Sequence, residues 1–278
     1  MSLVKFKNFY FRYKGNEEYA LNNINLNIEK NKFILLAGET GSGKTTLLRC
    51  MNGLIPQFYS GHYRGKVEIK GNDSTQVNIA DLSTIVGIVF QNPENQLVSM
   101  NVEHEIAFGM ENLGFPRDKI RKKIEEVVQL TGIESIMDKA PFEISGGEQQ
   151  RVAIASILAL EPELLILDEP TANLDPLFAQ NIINLLSSIQ KKTNITIIIS
   201  EHRMDLVVPI VDEIILMEKS RVVAQDKRDN IVNSDIFNKL HINKPIIYSI
   251  FKKLQTRNYY QGDIPISIPE ALKILKNK

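Results

Sequence analysis

Gly38-Glu39-Thr40-Gly41-Ser42-Gly43-Lys44-Thr45-Thr46 decides how this 278-residue chain is read. The segment satisfies the phosphate-binding pattern G-x-x-x-x-G-K-S/T at every fixed position from Gly38 to Thr45. The apolar run Phe33–Ala37 before it predicts a buried strand, and Lys44–Asn52 after it predicts a helix closed by Gly53. Gly38, Gly41 and Gly43 let the backbone curl so that successive N–H groups point inward, and the helix end adds partial positive charge. A polyphosphate is the expected guest, with Glu39, Thr40, Ser42 and Thr46 completing the loop around it. Lys44 would reach the outer phosphates, and the Thr45 hydroxyl would be one ligand of a magnesium ion bridging them.

A chain of this length buries about three quarters of its unfolded surface, which gives an ample core without disulfides. The single cysteine, Cys50, falls on the helix after the loop and reads as a small buried apolar residue, which suits a reducing cytosol. Lys plus Arg equals Asp plus Glu at 33 each, so no overall field would draw in nucleic acid or an anionic membrane. No run approaches the about 18 apolar residues of a membrane span, and the N-terminus lacks a signal-peptide core. Any service to a membrane is expected to run through a partner.

Outward from the loop, residues 3–13 and Leu21–Ile28 read as strands, with a short one at Lys66–Lys70 between Gly65 and Gly71. An antiparallel layer flanking a parallel sheet is expected. Ile85–Phe90 is a further strand ending at Gln91, followed by an irregular segment because Pro93 disfavours helix at Asn92. Pro116–Thr131 has helical spacing, with Ile120, Ile124, Val127, Val128 and Leu130 inward and Arg117, Lys119, Arg121, Lys122 and Lys123 as its wet face. Leu164–Leu167 predicts a buried strand delivering Asp168 and Glu169 at its C-terminal end, where open α/β sheets place ligands. Pro176–Lys191 is periodic helix, Ile195–Ile199 a strand ending at Ser200-Glu201-His202, and Ile214–Met217 with Arg221–Ala224 a hairpin. Beyond a polar stretch at 225–235, Ile236–Leu254 and Pro269–Leu275 are helical by pattern and carry no chemical motif.

Asp168 lies on a second strand more than a hundred residues after the loop, where a P-loop ATPase places the carboxylate that holds magnesium. Successive residues at a strand end diverge, so Asp168 can face a metal while Glu169 faces an attacking water. Ser145 with Glu148 three residues on forms a capping box that announces another helix N-terminus. Gly146 and Gly147 just inside that helix cost propensity and open the backbone to a close-approaching anion.

Taken in order, Gly38–Thr45, Ile144–Arg151 and Leu164–Glu169 resemble the phosphate loop, signature and magnesium strand of an ABC-transporter ATPase subunit. The resemblance covers about residues 3–228. Within it Gln91 is similar to the Q-loop residue, Ala172-Asn173-Leu174-Asp175 to the D-loop and His202 to the switch histidine. Tyr13 matches the aromatic that stacks on adenine, with Tyr10 and Phe11 as neighbouring competitors. His62, His104 and His241 match nothing.

The resemblance implies an α/β P-loop NTPase core of ABC-ATPase type over residues 1–230, with an antiparallel β layer and a helical subdomain at about 94–160. It implies a helical C-terminal extension at 231–278 that takes part in ATPase pairing. Two subunits would sandwich two ATP molecules with Mg2+, one chain's loop facing the other's Ser145, Gly146 and Gly147, with Asp175 at the same junction. Thr45, Gln91 and Asp168 would ligate the metal; Lys44, Glu169, Gln91 and His202 would carry hydrolysis.

Residues 93–97, 102–109 and 111–114 resemble the stretch after the Q-loop in energy-coupling-factor (ECF) ATPases, as do Pro141-Phe142-Glu143 and the tail. That branch implies a peripheral subunit on the cytoplasmic face of the membrane, driving a transmembrane transducer and a substrate-binding component for vitamins or for nickel and cobalt. No nucleic-acid partner is implied, and homodimer and heterodimer stay open. The soluble ATPase of iron–sulfur cluster assembly fits the length but not the C-terminal appendix.

Two residues depart from the family pattern. Asn173 replaces a small D-loop residue, and Glu148 stands where the signature usually has Gln. A carboxylate about 4 Å from a phosphate charge would cost on the order of 4 kcal/mol at an effective dielectric near 20. Glu148 is therefore expected to turn back to the Ser145 N–H, away from the nucleotide.

Overall fold

A computed structural model of the chain describes residues 2–276. Its strands are β1 (Ser2–Tyr13), β2 (Leu21–Glu29), β3 (Phe33–Gly38), β4 (Gly61–Ile69), β5 (Asn72–Asp73), β6 (Val86–Val89), β7 (Leu164–Asp168), β8 (Thr196–Ser200), β9 (Glu213–Glu218) and β10 (Arg221–Lys227). They form an antiparallel sheet in the order β2-β1-β4-β5 and a second sheet in the order β10-β9-β3-β8-β7-β6. The second is parallel except for the β9–β10 hairpin. This is the expected α/β architecture.

The helices that matter for the site are α1 (Lys44–Met51), α2 (Val102–Asn112), α3 (Arg117–Thr131), α4 (Gly146–Leu158), α5 (Pro176–Thr193), α6 (Ile246–Thr256) and α7 (Ile268–Lys276). Alternation along the strands splits the interior in two. Phe33, Leu35, Leu165, Leu167, Ile197 and Ile199 face the core shared with α2 to α5. Ile34, Leu36, Ile166 and Ile198 face the other core, closed by the antiparallel sheet and α1. Strands covered on both faces must be apolar throughout, which is why β7 and β8 read as continuous runs. Cys50 lies fully buried in the second core.

Three sequence expectations change. Gly65 does not bound β4 but sits inside it, at φ +87°, at a register break where Asn8 and Phe9 of β1 oppose it alone; the bulge on β1 presses the Asn8 carbonyl where a Cβ on residue 65 would be, and the strand runs on to Gly61. Lys123 is not on the wet face of α3: it is half-buried and pairs with Glu126 and, at 2.7 Å, with Glu161. The helix expected over Ile236–Leu254 is broken into Ile236–Lys239 and α6, because Pro245 cannot donate within a helix and His241 takes φ +52°. The tail is also anchored unevenly. Ile231, Val232, Phe237, Leu240, Tyr248 and Ile266 belong to the main core, whereas Phe251, Tyr260 and Ala271 form a small cluster of their own.

At the start of α4, Glu148 behaves as its charge demands. Glu148 Oε2 accepts from the Ser145 N–H at 2.8 Å and from Ser145 Oγ at 2.7 Å, completing the capping box. These bonds, the hydroxyl's first, hold the Glu148 carboxyl below its ordinary range. A pKa lower in the folded chain means the stabilisation is present above the ordinary glutamate range and is lost as pH falls through the folded value. Glu148→Ala should therefore lower stability by about 1 kcal/mol at neutral pH. In urea titrations of the two chains the difference should shrink towards zero in acid.

Candidate nucleotide site

The phosphate loop, the acid pair and His202 hang from the C-terminal ends of β3, β7 and β8, with Gln91 just beyond β6 and Tyr13 at the end of β1. Gly43, the N-cap of α1, has φ +101°, and a Cβ there would lie 2.5 Å from the Ala20 carbonyl oxygen. Only glycine allows that turn and that approach. At the other end of the loop a Cβ on Gly38 would lie 2.4 Å from the Met217 carbonyl oxygen. The loop is thus wedged between β2 and β9, with Glu39, Thr40 and Gly41 exposed at its tip.

Inside the loop, Lys44 is buried and its Nζ donates to the Gly38 carbonyl at 2.8 Å and the Glu39 carbonyl at 3.1 Å. Burial lowers its pKa, and the carboxylates of Glu169 and Asp168 pull it part of the way back. A cation stripped of water and held by two neutral carbonyls gains by exchanging them for phosphate oxygens. Ser42 Oγ is buried without a hydrogen-bond partner among the described residues, an orphan of the kind that a bound anion satisfies. Tyr13 is half-buried, and its hydroxyl meets Thr46 Oγ1 at 3.2 Å. Of its competitors, Phe11 is fully buried, and Tyr10 packs edge-on against Tyr19 as Tyr13 does against Phe11.

Register brings the acids in. Asp168 at the end of β7 stands opposite Ser200 at the end of β8. Ser200 Oγ donates to Asp168 Oδ1 at 2.6 Å and accepts from the Glu169 N–H at 2.9 Å. Glu169 takes φ +49°, a left-handed conformation that a side chain adopts only when its surroundings impose it. The turn sends its carboxylate away from Asp168 and into a clamp. Gln91 Nε2 donates to Glu169 Oε2 at 3.1 Å, and His202 Nε2 lies 3.1 Å from Glu169 Oε1. The sequence expectation that the two acids diverge is met, and two residues far apart in the chain, Gln91 and His202, converge on one carboxylate.

The signature helix makes no such contact. Among the described residues, no hydrogen bond joins Ser145, Gly146 or Gly147 to Gly38–Thr46. Gly146 instead borders a cavity of about 230 Å³ shared with Gln91, Asn92, Gln150 and Asn173. Gly147 is buried and packs against α5, where a Cβ would lie 2.9 Å from Phe178 Cδ1. The lack of a side chain at 147 therefore has a packing cause, while Gly146 is exposed. Asp175 caps α5, its Oδ1 accepting from the Leu177 and Phe178 N–H groups at 2.9 and 3.1 Å. Asn173, the outsized residue, donates to Asn92 Oδ1 at 2.8 Å and so ties its turn to the segment after Gln91.

Several residues that hold the site together carry no motif of their own. Gln96 accepts from the Phe90 N–H at 3.1 Å and folds the segment after Gln91 back on its strand. Glu105, buried in α2, accepts from the Val98 and Ser99 N–H groups at 2.9 and 2.7 Å. Ser200, Glu201 and Thr171 link β8 to the turn after β7. The signal available was a polar residue where a strand's apolar run stops, which marks Ser200 and Glu201 but does not say what they bind.

The family profile described as ABC transporter matches residues 21–172. A Pyrococcus horikoshii protein named as an ABC transporter ATP-binding protein, PH1815, is 36% identical over 277 residues, covering 99% of this chain and 97% of that one. A Methanosarcina mazei protein named in the same way is 40% identical over 255 residues, or 91% of this chain. The chain spans only 43% of the length of that relative. Among solved structures, cbiO1 from Clostridium perfringens, described as part of the ABC transporter complex cbiONQ, is 34% identical with a TM-score of 0.76. The match covers 90% of this chain and 99% of that one. With a phosphate loop, a capped signature helix and an acid pair in one order and one sheet, the chain belongs to the ABC transporter family of ATP-binding proteins.

Proposed function

We propose that this ABC ATPase is the motor subunit of an ECF-type importer, coupling closure of two ATPases on ATP to uptake of a vitamin or transition-metal ion through separate membrane subunits. The observation that carries the catalytic reading is the convergence of Gln91 and His202 on Glu169, beside Asp168 and Lys44. Likeness to cbiO1 supports the ECF branch, and no helix among the described residues is long and apolar enough to cross a membrane. The reading therefore assigns the substrate path to a transmembrane transducer and a substrate-binding membrane component, with this chain peripheral on the cytoplasmic face.

In the proposed cycle, Lys44 and the N–H groups of Gly38–Thr46 hold the outer phosphates, and Tyr13 stacks on the adenine. Asp168, Thr45 and Gln91 offer carboxylate, hydroxyl and amide oxygens, the hard donors that suit Mg2+ completed by phosphate and water. When bound, that ion neutralises phosphate charge. Glu169, oriented by Gln91 and His202, polarises the attacking water, and His202 then contacts the γ-phosphate. Ser145, Gly146 and Gly147 of a second ATPase, the same chain or a relative, supply the remaining donors, with Asp175 at the seam. The isolation of the signature helix from the loop within one chain supports this division.

Lys44→Ala should weaken ATP binding roughly ten- to a hundredfold, the loss of one charge-assisted contact, in calorimetric titration. Glu169→Gln should retain ATP binding while turnover falls about 10²- to 10⁴-fold in steady-state assays; wild-type turnover would remove Glu169 from its role. For transport, the chain purified from membranes should bring an integral membrane protein with it. Quantitative recovery in the soluble fraction with scaffold proteins would overturn the importer reading and leave the ATPase reading intact.

A further inference from the structure

Glu201 and His202 leave β8 in opposite directions. The Glu201 side chain is 3% exposed, whereas His202 is exposed and faces Glu169. Around the buried carboxylate three donors converge. Glu201 Oε2 accepts from the His202 N–H at 2.7 Å and from the Arg203 N–H at 3.0 Å. Glu201 Oε1 accepts from the hydroxyl of Thr171, itself fully buried in the turn after Glu169. On the other side of His202, Arg203 Nη2 donates to the Leu174 carbonyl at 2.8 Å, in the same turn. Among the described residues no ion pair joins Glu201 to a cation.

That arrangement is costly unless it does something. Burying a carboxylate carries a desolvation penalty that neutral donors offset only when they satisfy it fully. A glutamine of the same shape would turn its NH2 group towards either the two N–H donors or the Thr171 hydroxyl. A shorter side chain could not span from residues 202–203 to residue 171. Only an acceptor at both oxygens joins the two segments.

We infer that Glu201 is a positioning residue for ATP hydrolysis. By bonding the backbone N–H groups of His202 and Arg203 with one oxygen and Thr171 with the other, it fixes the His202 ring on Glu169. The turn at 169–174 and the segment 200–203 then move as one body: Ser200–Asp168 at its base, Glu201–Thr171 in its middle and Arg203–Leu174 at its far end. Glu201 is buried, bonds only protein groups and acts through His202. The inference rests on the ATPase reading of Glu169 and His202.

The test is a set of steady-state ATPase measurements on the full chain, with ATP binding and thermal melting measured on each variant. Glu201→Gln and Thr171→Val should each lower kcat roughly 10- to 100-fold, the cost of a catalytic group misplaced by about 1 Å. KM for ATP should stay within about twofold, since uniform binding is untouched. Thr171→Ser, which keeps the hydroxyl, should restore kcat. In a His202→Ala background, Glu201→Gln should lower kcat no further, because the two residues act as one unit. If His202→Ala loses turnover while Glu201→Gln does not, or if the losses multiply in the double variant, the inference falls and the ATPase reading stands. If His202→Ala turns over ATP like the wild type, the inference falls together with the role given to His202. Should Glu201→Gln fail to fold, the contrast between Thr171→Val and Thr171→Ser decides the matter.

Discussion

The pairing of β7 with β8 is the constraint on which the site depends. It puts Asp168 opposite Ser200, so that one hydroxyl grips the aspartate carboxylate and the next backbone N–H together. From that point each chain turns sharply. Glu169 enters the left-handed region, and Glu201 turns inward while His202 turns out. A slip of one residue in a parallel ladder would send every side chain to the opposite face. Between the apolar stretches of β7 and β8, buried on both faces, the pairing that such a slip would break is that of their polar ends, Asp168 with Ser200.

Charge in this region is arranged so that a visitor completes it. Lys44 sits on carbonyl oxygens with its pKa lowered by burial, and the acids stand across from it. Gln91 reaches Glu169 from a different part of the chain, braced by Gln96, and behind that by Glu105. The segments that follow three neighbouring strands, β6, β7 and β8, thus meet at a single carboxylate, while the capped N-terminus of α4 makes its bonds within its own first turn.

What could be read in advance divides along physical lines. The loop and the acid pair were legible because local patterns that phosphate chemistry requires survive in short windows of sequence, whereas Gln91 and His202, each uninformative alone, entered only through the order of motifs in the family they resemble. The orientation of Glu148 was legible from electrostatic cost alone, and the chain obeys it. The support was not legible. Glu201 and Thr171, thirty positions apart, meet through a register that no window contains, and the reason for Gly147 is a ring on another helix. The long helix drawn through 236–254 shows the reverse error: apolar spacing persists across the break because Phe237, Leu240 and Tyr248 all reach the same core from separate pieces.

That anchoring bears on how the cassette can be cut, fused or exchanged. The phosphate-to-switch machinery ends near residue 202, and the last strand ends at Lys227, so a boundary there looks natural on paper. Yet Phe237 is fully buried and Ile231, Val232 and Leu240 join it under the main sheet. A splice made after β10 would unroof that side of the interior. The portable unit, whether borrowed by a genome to build a longer tandem protein or by a designer to build a chimera, extends through the first turns of the tail.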